Sequence, residues 1–160
     1  MVRLSGFTLF ELIIVLAIIA AMVAVIVPHA TRSNDSLKIK QECLSMGEAI
    51  KYLTDLAVES KRPTRIVIDP QNNSYILEIS TDISRRDFKP LEGFGGDVRS
   101  LGESVKLTDF DGFDMEGSNQ YLLFDPARPW PNASISISAG NEINTIKISG
   151  RQVEIEESEI

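Results

Sequence analysis

GFTLFELIIVLAIIAAMVAVIVPHA, residues 6–30, is the stretch on which the reading of this chain turns. From Phe7 to Val27 only Thr8 and Glu11 interrupt an apolar run, and residues 12–27 hold no polar side chain at all. As a helix rising 1.5 Å per residue, that run extends about 31 Å, enough to cross a hydrocarbon core of about 30 Å. Arg3 precedes it, so the positive-inside rule keeps residues 1–6 in the cytoplasm and places the rest of the chain outside it. An ordinary secretory signal has an apolar region of only about 7–15 residues, closed by a small-x-small cleavage site. Val27-Pro28-His29-Ala30 is a poor version of that site. A plain membrane anchor fits the length but leaves Glu11 without a reason. A carboxylate near the bilayer centre costs about 2.5–3.5 kcal/mol.

The rest of the chain is different in character. Its 160 residues provide room for about one domain, and 43% hydrophobic with 24% charged residues is the composition of a chain that folds. Sixteen basic against 23 acidic residues give a net charge of −7, which repels phosphate backbones, so no nucleic-acid partner is expected. One cysteine excludes an internal disulfide, and one histidine leaves the usual zinc and triad constellations without their parts. No catalytic residue, metal or cofactor is expected, and the chain is not read as an enzyme.

Residues 35–62 continue as a helix pattern. Ile39, Cys43, Met46, Ile50, Leu53 and Ala57 recur at helical spacing, Ala49 and Leu56 widen the stripe, and Lys40, Glu48, Lys51, Asp55 and Glu59 fall mostly outside it. Cys43 lies in the stripe and reads as a small buried hydrophobe. Lys61-Arg62-Pro63 is expected to close the helix with cations in its last turn. From Thr64 the period changes to two. Residues 64–69 and 75–80 read as a hairpin about Pro70-Gln71-Asn72-Asn73, and residues 81–104 as an irregular connection. Residues 105–110, 120–124, 133–138, 144–149 and 152–156 read as short strands, with a further one over 113–116. The fold class expected is α+β, a long amino-terminal helix, transmembrane and then amphipathic, packed on antiparallel β-sheets.

The run Gly6-Phe7-Thr8-Leu9-Phe10-Glu11 followed by the apolar stretch resembles the class III signal of type IV pilins and type II secretion pseudopilins. The resemblance implies that a prepilin peptidase cuts between Gly6 and Phe7 and methylates the new amino terminus at Phe7. It also implies that Glu11 pairs with the amino terminus of a neighbouring subunit, an assembly ion pair that penalises wrong registers. The alternative for Glu11 is snorkelling to the cytoplasmic interface. Pro28 matches the family's pattern, either as a kink or local melting of the helix or as a mark of the membrane exit.

Further along, AIKYLTDLAVESKRPTRIVIDPQNNSYIL and YLLFDPARPWPNASISI…NTIKISGRQVEI resemble segments of the GspH/FimT branch, whereas residues 81–119 match no pattern of it. The expected organisation is a cleaved cytoplasmic leader over 1–6, a transmembrane half-helix over 7–28, a periplasmic amphipathic half-helix over 29–63 and a periplasmic β-rich domain over 64–160. The expected function is that of a minor pseudopilin at the tip of a type II secretion pseudopilus, held in the bacterial inner membrane before assembly. Its partners would be prepilin peptidase, the major and other minor pseudopilins, the inner-membrane assembly platform and membrane lipid. The alternative is a FimT-like minor pilin of a type IV pilus, serving pilus biogenesis, motility or DNA uptake. A third class is a membrane-anchored periplasmic enzyme or binding module.

Other candidates are weaker. Asp109, Asp111, Asp114 and Glu116 form the densest carboxylate group, but Gly112 comes too early for an EF-hand and the residues fall on an expected hairpin, so a solvated acidic turn is favoured over a metal site. Glu154, Glu156, Glu157 and Glu159 read as a solvated acidic end or a docking surface. Trp130, between Pro129 and Pro131, is either an exposed contact or part of the core.

Overall fold

The computed structural model describes residues 9–82, 87–91, 93 and 97–159, and describes residues 23–35 and 158–159 by their backbone alone. Two compact units divide the chain, Met1–Asn34 and Asp35–Ile160. One helix, α1 (Leu9–Ser60), contributes to both. Its backbone remains helical through residue 28, whose ring lies outside the described side chains.

In the second unit the helical stripe is buried: Cys43, Ala49, Ile50, Leu53 and Ala57 are fully covered, and Ile39 and Met46 are nearly so. Burial of each large aliphatic side chain contributes about 1.5–3 kcal/mol, which holds α1 in place where intrinsic helix propensity would not. The helix stops at Ser60, and its last turn carries no basic residue. This corrects the expected placement of cations there. Lys61 instead follows the helix in the left-handed conformation (φ 54°), and the Ser60 hydroxyl bonds back to the Leu56 carbonyl at 2.6 Å. The chain needs the left-handed residue to reverse direction before buried Pro63, and here a lysine fills a position that usually goes to glycine.

Among the described residues ten strands follow, all paired antiparallel: β1 (Thr64–Asp69), β2 (Ser74–Ser80), β3 (Phe88–Pro90), β4 (Arg99–Ser100), β5 (Val105–Asp111), β6 (Asp114–Glu116), β7 (Asn119–Phe124), β8 (Asn132–Ala139), β9 (Glu142–Ser149) and β10 (Gln152–Glu159). They form two sheets. One has the order β3-β2-β1-β7-β6, with β4 also on β2, and the other the order β10-β9-β8-β5. Alternate residues of each sheet point inward, among them Ile66, Ile68, Leu77 and Phe124 from the first and Ile135, Ile137, Ile146 and Ile148 from the second. These join the α1 stripe in a single core.

Two expectations change. The connection over 81–104 contains β3 and β4, which are too short to carry a legible period and are defined by the edge of β2 that they meet. The strands on either side of Gly112 do not form a hairpin, because β5 belongs to the second sheet and β6 to the first. Gly112 is the corner between them. Its φ is +74°, and a Cβ there would lie 2.3 Å from the Asn132 carbonyl oxygen, so only glycine fits.

Candidate assembly site

The helical segment from Leu9 to Met22 is exposed on every side. The large apolar side chains in it range from 43% exposed at Ile14 and Val15 to 77% at Leu9, so among the described residues no face of this segment is buried. A helix that is apolar all round is stable only when something else surrounds it, lipid or the helices of other subunits. Among the described residues no helix carries an apolar stretch long enough to cross a membrane. Residues 23–27, the continuation of the apolar run, are among those described by backbone alone.

Glu11 lies on the described part of α1 and is exposed. Gly6 and Phe7, the expected cleavage and methylation positions, lie outside the described residues.

Beyond the apolar segment, polar contacts fasten α1 to the second sheet. Lys40 Nζ meets Glu157 Oε1 at 2.6 Å, Arg151 Nη2 meets Asp55 Oδ1 at 2.9 Å, and the Ser36 hydroxyl bonds to the Glu142 carboxylate. The hydrogen bond and charge of Glu157 push the Lys40 ammonium above its ordinary pKa. Gly47 is buried where α1 faces β10, and a Cβ there would meet Val153 Cγ1 at 3.6 Å and Ile155 Cδ1 at 3.8 Å, ordinary packing distances.

The other candidates resolve as structure. The Cys43 thiol is buried and free, and desolvation, offset in part by a hydrogen bond with Asn144, pushes its pKa from 9.0 to about 11. It therefore stays protonated and unreactive near neutral pH. The acidic group divides between sheets: Asp109 and Asp111 are on β5, Asp114 and Glu116 on β6. Glu116 is bound to Arg65 Nη1 at 2.7 Å. Among the described residues no group of three His, Cys, Asp or Glu side chains converges as a metal site requires. Trp130 is half-buried against the core, with its ring 6.2 Å from that of Phe124. The acidic end is strand β10.

Two constellations carry no clear sequence signal. Arg65 donates to Glu78 at 2.6 Å as well as to Glu116, and its guanidinium lies over the ring of Phe88 at 4.3 Å and near that of Tyr121 at 5.5 Å. Asn73, in the left-handed conformation at the β1–β2 turn, donates from Nδ2 to the Val105 carbonyl at 2.6 Å and accepts from the Leu107 amide at 3.1 Å. Its side chain thus bonds to β5 as a neighbouring strand's peptide group would, tying one sheet to the other. A turn-rich tetrapeptide announces a turn, and nothing in it announces that distant strand.

No family model matches the chain. Over 91 residues it is 36% identical to prepilin peptidase-dependent protein A of Clostridium perfringens (strain 13 / Type A), an alignment covering 54% of this chain and 65% of that protein. The chain therefore spans just under two-thirds of that curated relative's length. The solved structure of the minor pseudopilin EpsH from the Type 2 Secretion System of Vibrio cholerae superposes with a TM-score of 0.59 at 13% identity, over 76% of this chain and 97% of that one. The chain is pilin-like in fold, an α+β arrangement of one long amino-terminal helix and antiparallel sheets.

Proposed function

We propose that this pilin-like chain is a minor pseudopilin, a structural subunit without catalytic activity that assembles into a type II secretion pseudopilus. The observation that carries the reading is the helical segment from Leu9 to Met22, apolar and exposed on all sides, on a chain with the pilin-like fold. That surface requires a nonpolar surround, which lipid provides before assembly and neighbouring helices provide afterwards. The similarity to a prepilin peptidase-dependent protein supports processing. In this reading residues 1–6 are a leader removed by prepilin peptidase between Gly6 and Phe7, and Phe7 is methylated. Residues 7–28 hold the subunit in the inner membrane, with Pro28 near the exit, and residues 29–63 and 64–160 lie in the periplasm. The new amine at Phe7 and the carboxylate of Glu11 are both costly in lipid, and pairing each with the opposite group of a neighbouring subunit relieves the cost at one axial stagger. The assembly platform and the other pseudopilins are the partners that such extraction requires.

The test is a clean deletion strain complemented with the wild-type chain and scored for secreted enzymes and for surface pili. Lost secretion with intact pili supports the pseudopilus. Lost pili with intact secretion moves the chain to a type IV pilus as a minor pilin. The similarity to the prepilin peptidase-dependent protein keeps that second reading in play, because processing by that peptidase is common to both.

A further inference from the structure

We infer that the outer edge of β10 is a docking site for an extended polypeptide segment whose residues alternate apolar and basic. This inference stands whether or not the chain assembles through α1. A strand edge presents alternating N–H and C=O groups, and an added strand completes them. β10 pairs with β9 over eight consecutive residues without a bulge, and among the described residues no backbone bond satisfies its other side. Among the described residues the other edges are shorter or partly occupied. Asn73 takes the Val105 carbonyl and the Leu107 amide of β5, and Gly102 accepts from the Val105 amide at 2.9 Å. β3, β4 and a 3.0 Å bond from the Leu91 amide to Leu77 occupy the outer side of β2, and β6 has three residues.

A groove of about 390 Å³ runs beside the open edge, between Lys51, Thr54 and Asp55 of α1 and Arg151, Val153 and Glu154 at the start of β10. A helix bordering a strand edge gives an added segment a wall for its side chains while the edge holds its backbone.

The alternation follows from the two faces of β10. Val153 and Ile155 pack on the core and remain half-exposed, so an apolar residue beside them on an added strand would extend the core. On the opposite face Glu154 and Glu156 are exposed. Lys147 meets Glu156 at 2.7 Å and lies opposite Glu154 in the register, so one lysine faces two carboxylates and the face keeps a negative charge that attracts a lysine or arginine. A second copy's β10 is a poor occupant because antiparallel pairing would set glutamates against glutamates.

The test uses the full chain in detergent micelles and a synthetic peptide that alternates lysine and valine, read by hydrogen exchange. The expected result is slowing of amides within residues 152–157 by roughly tenfold at saturation, as a newly hydrogen-bonded edge would show. The double variant Glu154→Lys, Glu156→Lys should bind the peptide roughly tenfold more weakly, with its thermal transition lowered because Lys147 then faces like charge. Glu154→Gln, which removes only charge, should fall between and covers the case in which the double variant does not fold. Protection absent from β10, or appearing on another strand, would overturn the inference. So would equal protection by a glutamate–valine peptide, or by a lysine–valine peptide N-methylated on alternate amides.

Discussion

Asn73 illustrates how much one side chain carries in this fold. Replacing it with alanine leaves the Val105 carbonyl and the Leu107 amide without their partner and puts in the left-handed region a residue that tolerates it less well than asparagine. Asn73→Ala should lower the free energy of unfolding by about 2–3 kcal/mol, measured by urea titration, and Asn73→Gly should recover about 1 kcal/mol of that by removing the backbone strain. Cys43 gives a pH signature. Its folded-state pKa of about 11 lies above the ordinary 9.0, so the folded chain holds this proton more tightly than the unfolded one. The corresponding stability is present below pH 9 and is lost as pH rises toward 11. Wild type should lose about 2 kcal/mol more over that window than Cys43→Ala does, compared by denaturant titration at each pH.

At the scale of elements, the helix from residue 39 to 57 was legible because a single 3.6-residue period governs Ile39 through Ala57 and one face is buried. The β1–β2 hairpin was legible from its alternation and turn residues. What was not legible depends on distant partners. β3 and β4 exist because β2 offers an edge, and Asp109 and Glu116 separate because Gly112 turns the chain from one sheet to the other. Arg65 likewise gathers Glu78 and Glu116 from different strands, a pairing that no local pattern encodes. Two glycines test the element packing in opposite directions. Gly112→Ala places a Cβ 2.3 Å from a backbone oxygen and should destabilise the chain by about 3 kcal/mol or more, or prevent folding, as circular dichroism and expression would show. Gly47→Ala meets only ordinary contacts with Val153 and Ile155 in the middle of a helix, and should raise stability by about 0.5–1 kcal/mol in the same urea titration.

At the scale of the whole molecule, a pilin-like domain has a core of its own, and the described helical segment from Leu9 to Met22 is exposed. That contrast is the physical basis for reading the protein as a subunit of an assembly. The apolar run and Glu11 were plain in the sequence, whereas the open edge of β10 required the sheet order to be known. If Glu11 sets the register between subunits, Glu11→Ala should insert in the membrane at wild-type levels and fall at least about tenfold in cross-linked or sheared filament fractions. The most direct test of the central claim is an intact-mass spectrum of the protein isolated from cells that carry prepilin peptidase. The expected chain begins at Phe7 and carries one added methyl group, with the apolar run retained. A chain that keeps residues 1–6, or one cut after the apolar run, would contradict it.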